Sequence, residues 1–332
     1  MNIAEMFITS VQYLAFIIFC ILFSFILAWF ERKIVARLQN RVGPPLFQPV
    51  YDFLKLSAKE DIYINKEGKY VLKYTPSIQL LIVLLLLFLI PIFGTTSILN
   101  FEGDLFLYIT LFALSSATIF IIAIFSKSPY TLIGGNRSII TEISLEIPLI
   151  LAFAGLAIYT GSLEISTISA KFLPQITNIS SVKNIGFIIL FFIIFMIIII
   201  SYLGVLELNP FSTPKAETEI VSGWKTELTG KNLAIVELSE HLKMFAISTF
   251  IASIFLGNSF YGFEYTTEIS TYILFLINIL FFSIKVFFIA FILMFVHVVS
   301  ARSRIHTIAE SFWLLLLLSS VCVIGIVVLE LV

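Results

Sequence analysis

The sequence predicts an all-α, polytopic membrane protein. It should have about eight transmembrane helices, plus amphipathic helices in the loops on the cytoplasmic side. Three observations carry this. The 332 residues are 59% hydrophobic and only 12% charged, about half the charge of an ordinary soluble domain. Several stretches run for eighteen residues or more without a charge, long enough to cross a bilayer. In lipid such stretches must satisfy their own backbone hydrogen bonds, so they are expected as helices.

The apolar segments lie at about 12–30, 76–93, 105–125, 143–160, 185–206, 244–261, 271–298 and 312–330. The seventh is long enough to tilt. There is no internal repeat and no low-complexity linker, so residues 1–332 are read as one membrane domain. The first ten residues have no basic run before the apolar stretch, which does not fit a cleaved signal peptide. Cys20 and Cys322 both sit inside apolar segments, where small buried residues are expected rather than a disulfide or a metal site.

Charge sets the expected orientation. With the N-terminus outside, the cytoplasmic segments are about 31–75, 126–142, 207–243 and 299–311, and they hold seventeen of the twenty lysines and arginines. Only Lys171 and Lys183 fall in outside loops, and Lys285 lies inside the seventh segment. This is the positive-inside pattern. Fourteen of the twenty-one acids fall on the same side, and topology rules do not require that, because acids contribute little to orientation.

The first basic segment contains Glu31, Arg32, Lys33, Arg37 and Arg41, then Gly43-Pro44-Pro45, which breaks the chain. After Pro49, Phe53, Leu54 and Leu56 alternate with Asp52, Lys55 and Lys59, the pattern of an amphipathic helix lying on the membrane surface. Simple anchoring explains the lysines; the charge density of the whole loop suggests docking of a soluble partner.

The second segment leads into Glu142 and Glu146, four residues apart and so on one helix face. Both are placed at or just inside the start of the fourth apolar segment, with Arg137 as a candidate partner. Glu142 could simply favour a positive helix N-terminus. A carboxyl at membrane depth is otherwise costly to leave ionised and unpaired, and one so placed can take up and release a proton.

The third segment is the most acidic. Glu207, Glu217, Glu219, Glu227, Glu237 and Glu240 face four lysines, and Glu237 and Glu240 have helical spacing. A chain of carboxylates running from the surface toward the membrane is what a proton or cation path needs. A solvated acidic loop would account for Glu217 and Glu227, but less well for Glu207 and Glu240. Lys285, mid-segment, is a functional candidate by its depth alone. Arg302 and Arg304 in the last segment suit a lipid or protein partner. No nucleotide-binding fingerprint, iron–sulfur cysteine spacing or haem-type histidine pair occurs, and no basic run interleaved with aromatics suggests nucleic acid. No residue is therefore assigned a catalytic or metal-binding role.

These loops resemble the H subunit, also called subunit 1, of NADH dehydrogenase (complex I), a subunit type shared with energy-converting membrane-bound hydrogenases and their sulfur-reducing relatives. Glu31-Arg32-Lys33, Gln39, Arg41, Gly43-Pro44, Gln48-Pro49, Asp52, Lys55-Leu56 and Lys59-Glu60 match the first-loop motif. Arg137, Glu146, Glu207, Asn209-Pro210-Phe211, Pro214, Glu217, Glu219, Gly223, Glu227, Glu240, Arg302 and Arg304 match the later loops. The resemblance implies a non-catalytic subunit that anchors a cytoplasmic redox arm and couples it to ion-pumping, antiporter-like subunits. The resemblance implies that Glu146, Glu207, Glu217, Glu219, Glu227 and Glu240 belong to a proton or ion path, and the placement of Glu142, Glu237 and Lys285 adds them as candidates. The resemblance also implies docking through Glu31, Arg32, Lys33, Arg41, Asp52, Lys55, Arg137, Arg302 and Arg304, to which the charge density of the first segment adds Arg37.

The resemblance places no cofactor on this chain. Iron–sulfur clusters, and nickel–iron in the hydrogenase members, are expected on hydrogenase-like large and small subunits and an iron–sulfur subunit. The setting is the plasma membrane of an archaeon or bacterium, with lipids around the helices. Ser212 and Lys215 stand where quinone-using members carry acids, and the Asn209-Pro210-Phe211 loop is short. These departures point to a ferredoxin-driven hydrogenase or sulfur reductase rather than to a quinone chamber. A stand-alone transporter would be expected to show inverted repeats and broken helices, and neither is seen; a purely structural anchor leaves Glu142, Glu146 and Lys285 unexplained.

Overall fold

A computed structural model describes residues 3–63, 67–93, 96–177, 182–257 and 271–331, and among them every regular element is helical. In order these are α1 (Ile3–Leu38), α2 (Gln48–Ser57), α3 (Lys69–Leu89), α4 (Asp104–Ser126), α5 (Pro129–Thr160), α6 (Ile165–Thr177), α7 (Val182–Val205), α8 (Glu217–Ile220), α9 (Gly230–Phe255), α10 (Thr271–Val299) and α11 (Ile305–Leu331). Two 3₁₀ turns, Thr213–Lys215 and Gly223–Lys225, flank α8.

Seven described helices are long and apolar enough to span a membrane: α1, α3, α4, α5, α7, α10 and α11. The eighth expected segment is α9. Its N-terminal half carries Glu237, Glu240, His241 and Lys243 and only its second half, from Met244, is continuously free of charge. The end of that expected segment, 258–261, lies outside the described residues. Helix α9 is the hub. It packs on α1, α2, α3, α6 and α10, while α5 joins α4, α7 and α11 on the other side.

The expected loops are more helical than the apolar segments suggested. Helix α1 continues to Leu38 and α3 starts at Lys69, not near 76. The stretch 126–142, expected as a loop, is helical from Pro129 on. Lys127 ends α4 in the left-handed region, and Pro129 opens α5 in its first turn, where its fixed φ and missing N–H are no handicap. Glu142 therefore lies thirteen residues inside α5. Favouring a positive helix N-terminus is overturned as the reason for it, because that effect fades within one turn. Helix α2 forms as the alternation predicted. Helix α6, on the opposite side of the bundle, was not foreseen; its Ile165, Ile168 and Phe172 are buried.

Segment 206–229 folds back over the open end of the bundle. Trp224 is fully buried in a small apolar cluster with Leu72, Ile119, Ile122, Ala123, Leu228 and Val236. Two glycines permit this. Gly223 takes φ +60°, and a Cβ there would collide with the Pro214 carbonyl; a Cβ on Gly134 of α5 would stand 2.6 Å from the Trp224 nitrogen and 2.8 Å from the Gly223 carbonyl carbon. Backbone cannot give way as a flexible side chain does. Gly134→Ala is accordingly expected to destabilise the protein by about 1–3 kcal/mol, read as a lower thermal midpoint and a more protease-accessible 206–229 segment.

Candidate functional site

The helix ends on the side of the four basic segments surround a cavity of about 640 Å³. Its walls come from the end of α1 (Glu31, Arg32), residues 205–217, the first turns of α9 (Glu237, Glu240, His241), and the α10–α11 junction (His297, Arg302). Its floor reaches down to Gln79 of α3, Ile119 of α4 and Lys243 and Met244 of α9.

Lysines organise this cavity. The Lys215 ammonium lies 3.0 Å from Glu207 and 3.0 Å from Glu240. Lys225 lies 2.6 Å from Glu240 and 2.8 Å from Glu237. Glu240 thus sits between two ammonium groups. Burial pushes its carboxyl up, but Lys215 and Lys225 outweigh that and hold it below the usual carboxylate range. Burial pushes Lys215 down, and Glu240 and Glu207 outweigh that to raise it. Glu207 is only 4% exposed. Ser138 of α5 donates to it at 2.6 Å, and the Trp224 Nε1–H donates to both its oxygens at 3.2 and 3.1 Å.

Below this network lies a second pair. Lys243 faces Glu142 at 3.7 Å, and both are almost wholly buried. Neither Glu142 oxygen closes a hydrogen bond, and the Ser116 hydroxyl of α4 is turned to the Phe112 carbonyl. Glu146, one turn further along α5, is half-buried and also has an oxygen without a hydrogen bond.

The rim is clamped from both sides. The Asn209 N–H donates to Nδ1 of His297 at 2.8 Å. The Ser303 N–H and hydroxyl both donate to the Pro210 carbonyl, at 2.9 and 2.7 Å. Arg302 donates to Ser212 at 3.2 Å, and Ser212 in turn donates to Asn209. On α1, Arg32 pairs with Asp52 of α2 at 2.5 Å. Burial would push Asp52 up, but hydrogen bonds from Arg32 and Gln48 hold its carboxyl low.

The expected path residues divide. Glu207, Glu217, Glu237 and Glu240 line the cavity, and Glu142 and Glu146 lie beneath it. Glu219 is at the rim, bound by Arg137 at 2.5 Å. That corrects the partner expected for Arg137: it reaches Glu219, not Glu142 or Glu146. Glu227 is half-buried in the loop before α9. Lys285 is not brought into the acidic cluster. It donates to the Gly257 carbonyl at 2.9 Å, and Gly257 is about 25 Å along the axis of α9 from Glu240.

The expected docking residues ring the opening. Glu31, Arg32 and Arg41 line an adjoining cavity of about 400 Å³. Lys55 borders another with Asp52 and His241. Lys33 turns to the Gly43 carbonyl at 3.5 Å. Arg37 lies in the last turn of α1, and Arg304 is exposed beside α11.

Sequence reasoning missed Lys225, Lys243, Ser138, Trp224 and Gln79, and took Lys215 only as a departure from a pattern. The available signal was the spacing of Glu240 and Lys243 at the mouth of an apolar run. Lys215→Met should leave Glu207 buried without its cation, at a cost of about 3 kcal/mol, read as a lower thermal midpoint that Lys215→Arg restores in part. The pH dependence should also change. A carboxyl depressed in the fold contributes stability above its ordinary value of 4.5, and that stability is lost as pH falls through its folded value. The wild-type midpoint should therefore drop on acidification below about pH 4.5, and Lys215→Met should flatten that limb.

Comparison with known proteins agrees with this architecture. The family model described as NADH dehydrogenase matches residues 11–328. The H subunit of NADH-quinone oxidoreductase from Dehalococcoides mccartyi strain 195 is 28% identical over 71% of this chain and 67% of its own length. The corresponding H subunit from Bacillus cytotoxicus is 30% identical over 68% of this chain and 67% of its own. A chain in the structure of the membrane-bound sulfane sulfur reductase, an archaeal respiratory membrane complex, superposes with a TM-score of 0.82 at 24% identity, covering 96% of this chain and 99% of that one. With a family model spanning nearly its whole length, the chain belongs to the NADH dehydrogenase family of membrane subunits, which includes the H subunit of NADH-quinone oxidoreductase.

Proposed function

We propose that this chain is the membrane-anchoring and energy-coupling subunit of a redox-driven proton- or sodium-translocating complex. One observation supports this above all. A closed lysine–glutamate network lines a cavity at the basic end of the bundle, and directly under it lies the buried Glu142–Lys243 pair. The upper network stores charge that a neighbouring redox event can perturb. The lower pair can pass that perturbation into the membrane. In this reading the basic segments face the cytoplasm and the N-terminus lies outside. Arg32, Lys33, Arg37, Arg41, Lys55, Arg302 and Arg304 receive the redox arm, and antiporter-like subunits flank the apolar helices.

The charged lining favours the ferredoxin-driven hydrogenase or sulfur-reductase branch over a quinone chamber. Ten of the cavity residues are formally charged, whereas a site for a large apolar ligand is lined mainly by hydrophobic and aromatic side chains. Lys215, which lines the cavity, is tied into two ion pairs there. The residues present therefore do not suit a quinone tail. The alternative, a quinone chamber, draws its support from the names of the NADH-quinone oxidoreductase relatives. In the preferred reading, iron–sulfur clusters and nickel–iron reside on the large, small and iron–sulfur subunits of the arm.

Purifying the complex through a tag on this chain, followed by metal analysis and subunit identification, tests the branch. Hydrogenase-like or sulfur-reductase-like subunits are expected; a stoichiometric bound quinone would contradict the assignment. Neutralising Glu240 or Glu146 to Gln is expected to leave assembly and electron transfer largely intact while lowering ion transport by roughly tenfold or more. Normal transport in vesicles with both changes present would remove these carboxylates from the path.

A further inference from the structure

The coupling reading leaves a group of buried polar side chains unused, all on or facing the buried side of α4. From the cavity floor at Ile119 this face runs through Ser116 and Ser115 to Phe112, then Tyr108, and ends at Asp104. The stretch from 119 to 104 covers about 22 Å, most of the hydrocarbon thickness. Tyr108 and Tyr202 of α7 are both fully buried, and the Tyr202 hydroxyl donates to the Tyr108 hydroxyl at 3.4 Å. They stand in an aromatic box: Tyr108 stacks on Phe250 at 4.2 Å, and both tyrosines flank Phe112 and Phe153.

Asp104 is fully buried as well. One of its oxygens accepts the Ile165 N–H at 2.7 Å, which caps α6, and the other has no hydrogen bond. On the other side of the box, the Lys243 ammonium stands 5.8 Å from the Phe112 ring centre. The Phe112 ring therefore touches both polar groups: Lys243 of the Lys243–Glu142 pair, and Tyr108 and Tyr202, with Asp104 one turn before Tyr108 on α4.

We propose that the buried face of α4 carries a gated proton file, from the Lys243–Glu142 pair through the Tyr202 and Tyr108 hydroxyls to Asp104, with the Phe112 ring as its closed gate. The proposal takes its proton source from the coupling reading but is tested without it. With the ring turned aside, a water bridges Lys243 to Tyr202. The Lys243 ammonium gives up a proton through that water to the Tyr202 oxygen. Tyr202 passes its own hydroxyl proton to Tyr108. Tyr108 passes its proton through a second water to the carboxylate of Asp104, which stands one helical turn before it on the same buried face of α4. Both hydroxyls are regenerated neutral, one proton has moved, no electron is transferred, and Lys243 is reprotonated from the cavity.

If the two hydroxyls served packing alone, phenylalanine at both positions would fill the same space at little cost, because both partners of the bond are removed together. That makes the pair of Tyr→Phe changes the deciding element.

The experiment uses the whole complex in proteoliposomes with an internal pH dye, an imposed potassium diffusion potential and no electron donor. Passive proton entry should rise roughly tenfold or more in Phe112→Ala. It should return toward the wild-type rate when Tyr108→Phe and Tyr202→Phe, or Asp104→Asn, are added. If Phe112→Ala does not assemble, the smaller change Phe112→Leu is read in the same comparison. Wild-type proton entry in an assembled gate variant would overturn the proposal. So would a leak that persists unchanged with both tyrosines and Asp104 replaced. Because no redox turnover is involved, loss of coupling elsewhere leaves this readout unaffected.

Discussion

A charge inside an apolar bundle must find its counter-charge, and Lys215 between Glu207 and Glu240 is where this protein meets that demand. Everything around the cavity follows from it. Residues 206–229 must fold inward to deliver Lys215 and Lys225, so Gly134 and Gly223 let two backbones approach closely, and Trp224 locks the segment by its apolar ring and its N–H. Helix α9 must carry Glu237 and Glu240 in its first turns and still become apolar enough to cross the membrane. It therefore begins polar and ends as core. Removing Lys215 strips the buried Glu207 of its cation, which costs more than the pair contributes to stability in the first place, whereas without Glu240 each lysine keeps a second carboxylate.

The two tiers of ionisable groups differ in how well they are satisfied. The upper tier is dense in contacts: Glu240 holds two lysines, and Glu207 holds a lysine, a serine and a tryptophan. The lower tier is sparse, with Glu142 facing a single lysine at 3.7 Å and no hydrogen bond. A well-satisfied network keeps its charges in place. A poorly satisfied pair responds to small changes nearby. That contrast supports a reading in which the upper tier receives a perturbation from the cytoplasmic arm and the lower tier passes it on.

Much of this was legible in the sequence, for a physical reason. Lipid-facing helices must be apolar along their length, so the spans stand out, and acids placed at the ends of apolar runs announce themselves as costly. Glu207, Glu237 and Glu240, which stand near the ends of apolar runs, line the cavity. The misses have equally definite causes. Apolarity marks the part of a helix that meets lipid, not the part that lines a cavity, so the polar extensions of α1 and α5 fall outside the expected spans, while the polar start of α9 shows only in the helical spacing of Glu237 and Glu240. Counting six acids against four lysines suggested unpaired carboxylates, whereas three of those lysines are folded in among them. Arg137 pairs with Glu219, 82 positions away, a distance at which no local spacing rule operates.

The most direct test of the account is the number of ions moved per electron in the purified, reconstituted complex carrying Glu142→Gln. Electron transfer from the donor should continue near the wild-type rate while the ratio falls close to zero, because the carboxylate beneath the lysine network can no longer change charge. A ratio equal to wild type, in a complex of unchanged composition, would contradict the coupling role assigned to the Glu142–Lys243 pair.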